Sequence, residues 1–264
     1  MKNKIKILYL DILTDNPETT KEINRDVYKS SNYSEAMRRA FSLSSDEWVD
    51  CYVPDGKFPE DFSSFDGVVI GGSTEDPIKG REKPWMVDSH VFIKKIAKAG
   101  IPILGICGGL QFVVRAFGKK LILNPKGREL GTKEIKLTKD GAGDLLFKGL
   151  PKINFVQLSH KVMADDLKPE WKLLATSKLC NTQAIAIGDK IRLTQFHPEM
   201  KADELKALIK SRKSAMFGEG IVKNEKEFRA FLSAIKSTAK VNKQILKNFL
   251  NYFVLPYSAK RVDK

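Results

Sequence analysis

Reactive side chains are scarce in this chain. Its 264 residues include only three histidines and three cysteines, Cys51, Cys107 and Cys180, with no CxxC pair and an odd count. That disfavours a disulfide framework and a zinc site, so no metal is expected, and it points to a reducing compartment, the cytoplasm. Long apolar runs are missing too: Ile7-Leu8-Tyr9-Leu10 stops at Asp11, too short for a signal peptide, and reads as a first strand. No later segment is long enough to span a bilayer, so no membrane partner is expected. Internal repeats and low-complexity tracts are absent. So are the Ser-Gly-Gly-x-Asp-Ser and GxxxxGK[ST] loops that grip nucleotide phosphates.

What is present suits a globular protein, with 42% hydrophobic and 30% charged residues. The length fits one substantial core with an appendage better than two equal domains. Net charge is +14, and Lys201 to Lys264 holds 15 basic against 6 acidic residues, a net of +9. Such a segment could attract nucleic acid. Its lysines alternate with apolar positions and lack aromatic stacking platforms, so a solvated helix face is expected and a nucleic-acid partner is not.

Strands and helices alternate in the first half. Ile5 to Asp11, Val49 to Val53 and Asp66 to Ile70 read as strands, Ser34 to Leu43 as a helix, and a second helix runs from Pro84 to a stop at Gly100. Ile101 to Ile106 is a near-continuous apolar strand. Leu110, Val113, Val114 and Phe117 then recur at helical spacing until Gly118. This alternation predicts an α/β fold with a mostly parallel sheet covered on both faces. Short strands follow: around Leu121, Thr132 to Leu137, Asn154 to Leu158, Trp171 to Thr176, and a hairpin of Gln183 to Ile187 with Lys190 to Gln195 around Gly188-Asp189. The remainder is helical in pattern, with Gly218-Glu219-Gly220 as a break. Its apolar stripe should pack on the main domain or form a subunit contact.

The chemistry concentrates where a strand meets a glycine-rich helix start, Gly105-Ile106-Cys107-Gly108-Gly109. A side chain at such an elbow is thrust out at the carboxyl end of a strand, where open α/β sheets bind ligands. Helix-start amides stabilise a Cys107 thiolate, and the Gly108 amide can donate to an oxyanion. The bland alternative is a buried cysteine beside a tight turn. A working thiol needs a base, and only His90, His160 and His197 exist. His90 sits among Asp88, Lys94 and Lys95 and reads as a surface residue. His197, in Gln195-Phe196-His197-Pro198-Glu199, follows an apolar strand, and residues two apart in an extended segment face the same side. Glu199 could then orient the imidazole toward Cys107.

These landmarks, with Gly71-Gly72-Ser73 and Gln157-Leu158-Ser159-His160, occur in an order that closely resembles the class I (triad) glutamine amidotransferases over roughly Ile5 to Met200. Gly127-Arg128-Glu129-Leu130-Gly131 and Leu145 to Pro151 resemble the stand-alone, GMP-synthase-like members. The resemblance implies a flavodoxin-like three-layer sandwich, a catalytic triad of Cys107, His197 and Glu199, and oxyanion donors at Gly72 and Gly108. It also implies a substrate pocket including Gly71, Gln111, Ser159 and His160. No cofactor is implied. Two features depart from the usual pattern: Leu110 stands where a histidine is frequent, and Lys161 follows His160 where glycine or an acid is common. Glu75 and Asp76 remain unassigned.

The expected organisation is an amidotransferase domain over 1–200 and a basic helical extension over 201–264. About sixty residues beyond Met200 are too few for an ATP-using domain. The expected activity is glutaminase-type hydrolysis of a γ-glutamyl amide, with ammonia released or passed to a separate synthase subunit. The alternatives are a γ-glutamyl peptidase and, in another class, an inactive scaffold or regulatory module. An α/β-hydrolase would place its acid before the histidine, and here Glu199 follows it.

Overall fold

The computed structural model describes residues 4–29 and 32–262. In the first half β1 (Ile7–Asp11), α1 (Pro17–Asp26), α2 (Tyr33–Ala40), β2 (Trp48–Tyr52), β3 (Gly67–Ile70), α3 (Pro84–Lys98), β4 (Ile103–Ile106) and α4 (Gly108–Ala116) follow one another. Then come β5 (Leu121–Leu123), β6 (Glu129–Leu137), a short α5 (Lys139–Gly143), β7 (Ile153–His160), β8 (Val162–Ala164), β9 (Lys172–Thr176), β10 (Ala184–Ile187) and β11 (Ile191–Thr194). Helices α6 (Ala202–Ser211), α7 (Lys213–Gly218), α8 (Glu225–Ser233), α9 (Ala239–Phe249) and α10 (Leu255–Val262) complete the described chain, with a π-helical turn over Leu250–Val254. None of the described helices is long and apolar enough to cross a membrane.

Nine strands form one sheet in the order β2-β1-β3-β4-β11-β10-β9-β6-β7, with a separate β5-β8 pair. The first five run parallel, and the rest extend the sheet as an antiparallel wing. The centre of the parallel part is buried on both faces, because β3 and β4 are apolar at every position. Leu8, Leu10, Val68, Ile70 and Ile103 face α3 and α4, where Ile93, Ile96, Leu110, Val113 and Val114 meet them. Ile7, Tyr9, Val69, Leu104 and Ile106 face the other way, toward Met37 of α2 and Ile245, Leu246 and Phe249 of α9. The result is the α/β three-layer sandwich expected from the sequence. The C-terminal helices are present: α9 lays its apolar side on the sheet, and α6, α7 and α8 pack with the end of α1 and with Leu130 of β6.

Two details differ from the sequence reading. Helix α1 was not foreseen: its sequence carries Ile23 as its sole large apolar side chain, so it shows no stripe, and its start is set by the Asn16 side chain, which accepts from the Glu18 and Thr19 amides ahead of Pro17. His90 is not on the surface. It shares the inward side of α3 with Met86 and Ile93, packs edge-on against Phe112 at 5.6 Å between ring centroids, and burial pushes its imidazole down to about 4.

The glycines at the elbow are a packing requirement. Any Cβ on Gly109 would fall inside contact distance of the Ile70 carbonyl oxygen, and one on Gly105 would lie 2.8 Å from the Gly109 carbonyl carbon. Helix α4 is thereby pressed against β3 and β4, with the Gly109 amide donating to the Gly71 carbonyl at 2.9 Å. Gly109→Ala should therefore cost about 1–3 kcal/mol, since the obstacle is backbone rather than a side chain that can rotate away. Urea denaturation checks this, and an unchanged midpoint would show that α4 can move off β3.

Candidate functional site

Strand β4 delivers Cys107 to the carboxyl end of the sheet, where the residue adopts φ 52 and ψ −99, a left-handed conformation rare for a side chain larger than hydrogen. Its amide donates to the Thr194 carbonyl of β11 at 2.7 Å, which fixes the turn against the neighbouring strand. The sulfur is almost wholly enclosed and receives a contact from Gln195 Nε2 at 3.6 Å. Gly108 opens α4, where the helix supplies no partner for its amide.

His197 reaches the same place from β11. Its amide donates to the Gln157 carbonyl, and its Nδ1 lies 2.7 Å from Glu199 Oε1, with both side chains buried. The other ring nitrogen is turned away from Glu199, and His197 and Cys107 line the same recess. Burial by itself would lower the His197 pKa. The Glu199 carboxylate and the Cys107 sulfur outweigh it and hold the imidazole at about 10. Cys51 and Cys180 are different: burial pushes both thiols up to about 11, which leaves them poor nucleophiles.

The structure adds a residue that sequence reasoning missed. Tyr33 Oη donates to Glu199 Oε1 at 2.9 Å and accepts from the Gly72 amide at 2.9 Å. Gly72 is thus brought against the site, since a Cβ there would lie 3.2 Å from His197 Cε1, but its N–H is held by Tyr33. No pattern in the polar stretch around Tyr33 signals this, because its partner Glu199 lies 166 residues away.

Two recesses open on Cys107. One is small, about 40 Å³, and mostly apolar, lined on the His197 side by Ile23, Val27, Tyr28, Met200 and Leu208. The other is a polar cleft of about 280 Å³ containing Gln111, Ser159 and His160 together with Asp76, Arg128 and Lys161. Arg212 lines both. Gly71 lines neither, and its carbonyl is used by Gly109. Gln111 Nε2 donates to the Val162 carbonyl, and Ser159 Oγ accepts from Arg212 Nη1 at 3.0 Å. His160 has both ring nitrogens engaged, with Glu129 Oε2 and the Val162 carbonyl, each at 3.0 Å. Glu129, His160 and Cys180 also place potential metal-ligand atoms within 4.8 Å of one another. Glu129 is already taken up by His160, Ser177 and Gln183.

Comparison with known proteins places this geometry in context. The family described as glutamine amidotransferase class-I matches residues 25–213. The chain is 31% identical over 217 residues to gamma-glutamyl peptidase 4 of Arabidopsis thaliana, covering 79% of this chain and 84% of that protein. It is 35% identical over 142 residues to the GMP synthase [glutamine-hydrolyzing] of Limosilactobacillus reuteri, covering 52% of this chain but a quarter of that protein. Among solved structures, a glutamine amidotransferase from Thermotoga maritima superposes with a TM-score of 0.74 at 22% identity over 96% of this chain and 99% of that one.

The His197 pKa has a consequence for stability. Raised from the ordinary 6.5 to about 10, it means that folding favours the imidazolium. The stabilisation is fully present below pH 6.5 and is lost as the pH climbs toward 10. Glu199→Gln removes the counter-charge, so the variant should lose less stability than the parent across that interval. Denaturation midpoints measured from pH 6 to 10 decide this, and parallel curves would contradict it.

Proposed function

We propose that this chain, which belongs to the class I glutamine amidotransferase family, hydrolyses the γ-carboxamide of glutamine or a related γ-glutamyl compound through a thioester on Cys107. The observation that supports the reading is the buried His197–Glu199 pair beside Cys107, with the imidazole held at about 10 by the carboxylate and the sulfur. A thiolate paired with an imidazolium is a nucleophile and a proton donor at once.

In this mechanism the Cys107 thiolate attacks the amide carbon, and the carbonyl oxygen takes up the negative charge. The Gly108 amide donates to that oxyanion from the helix start. The Gly72 amide joins it by exchanging Tyr33 for the oxyanion; such donors each contribute about 3 kcal/mol. His197 then gives its proton to the leaving nitrogen, the carbon–nitrogen bond breaks, and ammonia or an amine departs. Water enters, His197 takes one of its protons, and the resulting hydroxide cleaves the thioester to give a carboxylate and restore the thiolate. Glu199 keeps the imidazole in the required tautomer throughout. Polar groups of the larger cleft, Gln111 and Ser159 among them, are placed to hold the glutamyl part.

The small recess bears on which amide is cleaved. The leaving nitrogen must face His197, and the recess on that side is small and lined largely by apolar side chains such as Ile23, Val27, Met200 and Leu208, which offer nothing to hold the backbone of a departing peptide. This supports an unsubstituted amide, with ammonia hydrolysed free or passed to a separate synthase subunit. The extensive match to a gamma-glutamyl peptidase supports the second reading, in which an amino acid or peptide leaves instead.

Cys107→Ala should abolish hydrolysis of any γ-glutamyl substrate, and retention of activity would end the thioester mechanism. Turnover of glutamine compared with a γ-glutamyl dipeptide separates the two readings. Faster release from glutamine is expected, and preference for the dipeptide would select the peptidase. Turnover of neither, with tight binding of a protein partner, would select a scaffold.

A further inference from the structure

The cleft beside Cys107 carries positive charge that the protein does not fully neutralise. Of its three cationic residues, Arg128 is gripped in a two-pronged ion pair by Glu219, at 2.7 and 2.6 Å. Lys161 is half-exposed and faces Asp76 at 3.6 Å. Arg212 stands apart: among the described residues its side chain makes one hydrogen bond, from Nη1 to the neutral Ser159 hydroxyl, and no carboxylate lies within ion-pair distance. Burial lowers its pKa and neighbouring Arg128 lowers it further, while the Cys107 sulfur acts in the opposite direction.

A partly buried guanidinium with most of its donors unused loses hydration without recovering it inside the protein. The shape of the group matters as well, because a planar fork matches a carboxylate with two parallel hydrogen bonds. Arg212 is also positioned for this. It occupies the junction of α6 and α7, ending one helix and preceding the next, and it lines both recesses that open on Cys107. A ligand whose carbonyl carbon sits at Cys107 therefore lies beside Arg212 whichever recess receives the rest of it.

We propose that Arg212 is a specificity-determining residue that binds the α-carboxylate of the glutamyl substrate, restricting the site to γ-glutamyl compounds with a free α-carboxylate. The proposal rests on the glutamyl-thioester reading above. It assigns the recognition of the substrate head group to a residue of the C-terminal helices, outside every landmark by which the sequence reveals the site. It also excludes glutamine within a polypeptide, whose α-carboxyl is tied up in a peptide bond and carries no charge for the guanidinium to meet.

Two electrophiles aimed at Cys107 test it, with labelling followed by intact mass. One is a chloromethyl ketone analogue of glutamine that keeps the free amino-acid head, and the other is iodoacetamide, which has no carboxylate. Arg212→Met should raise the chloroketone concentration for half-maximal labelling rate by at least about tenfold, while the iodoacetamide rate stays within about twofold. Arg212→Gln retains a donor for Ser159 without the charge and should show the same selective loss, which guards against a Met variant that folds poorly. Equal slowing by both reagents, or unaltered chloroketone labelling, overturns the role of Arg212 and leaves Cys107 as the nucleophile. Wild-type Cys107 that reacts with iodoacetamide but shows no saturable chloroketone labelling overturns the glutamyl reading itself.

Discussion

The turn at Cys107 exists only because three backbone segments close on one another without side chains between them. Gly105 and Gly109 let α4 press onto β4, Gly109 touches the Ile70 carbonyl of β3, and Gly108 packs against Ser73, where a Cβ would lie 2.6 Å from the Ser73 Cβ. The hydrogen bond from the Cys107 amide to Thr194 then binds the turn to β11, the strand that leads to His197. Two parts of the site 90 residues apart in the chain thus share one structural support, the parallel register of β4 and β11, in which Ile106 lies opposite Thr194. A slip of one residue would turn the pleat over and send the histidine segment away from the sulfur.

Most of this was legible because it is local and periodic. The apolar strands around Val68 to Ile70 and Ile103 to Ile106, the stripe Leu110, Val113, Val114, and the pair His197 and Glu199 declare themselves within a few residues. Tyr33 and Arg212 do not. Each lies in a segment whose sequence reads as polar surface, and each acquires its meaning from a partner at long range, Glu199 for one and Ser159 for the other. His90 was misread for a related reason: its neighbours in sequence are charged, but its neighbours one turn away on α3 are Met86 and Ile93. Helical spacing outweighed local composition there.

The last quarter of the chain is more than a carrier of charge. Its lysines account for much of the net positive charge, yet Ile245 and Phe249 are fully enclosed against the sheet face that holds Tyr9 and Leu104. A second group, Leu205, Leu208, Ile209 and Met216, packs with Val27 of α1's C-terminal end and Leu130 of β6. The same segment sends Arg212 to the recesses and Glu219 to Arg128. Packing and charge are divided between opposite sides of these helices, which is why their sequence alternates lysines with apolar residues.

The Tyr33 hydroxyl has one further consequence. It donates to Glu199 and accepts from Gly72, so it bridges the acid behind the histidine and the amide in front of it. Such a bridge makes the two ends thermodynamically reciprocal: whatever favours withdrawal of the Gly72 N–H also alters how firmly the hydroxyl holds the carboxylate, and by the same free energy in reverse. Charge appearing on a bound ligand and charge residing on Glu199 are therefore in communication through a single oxygen atom, without any movement of the sheet that carries them.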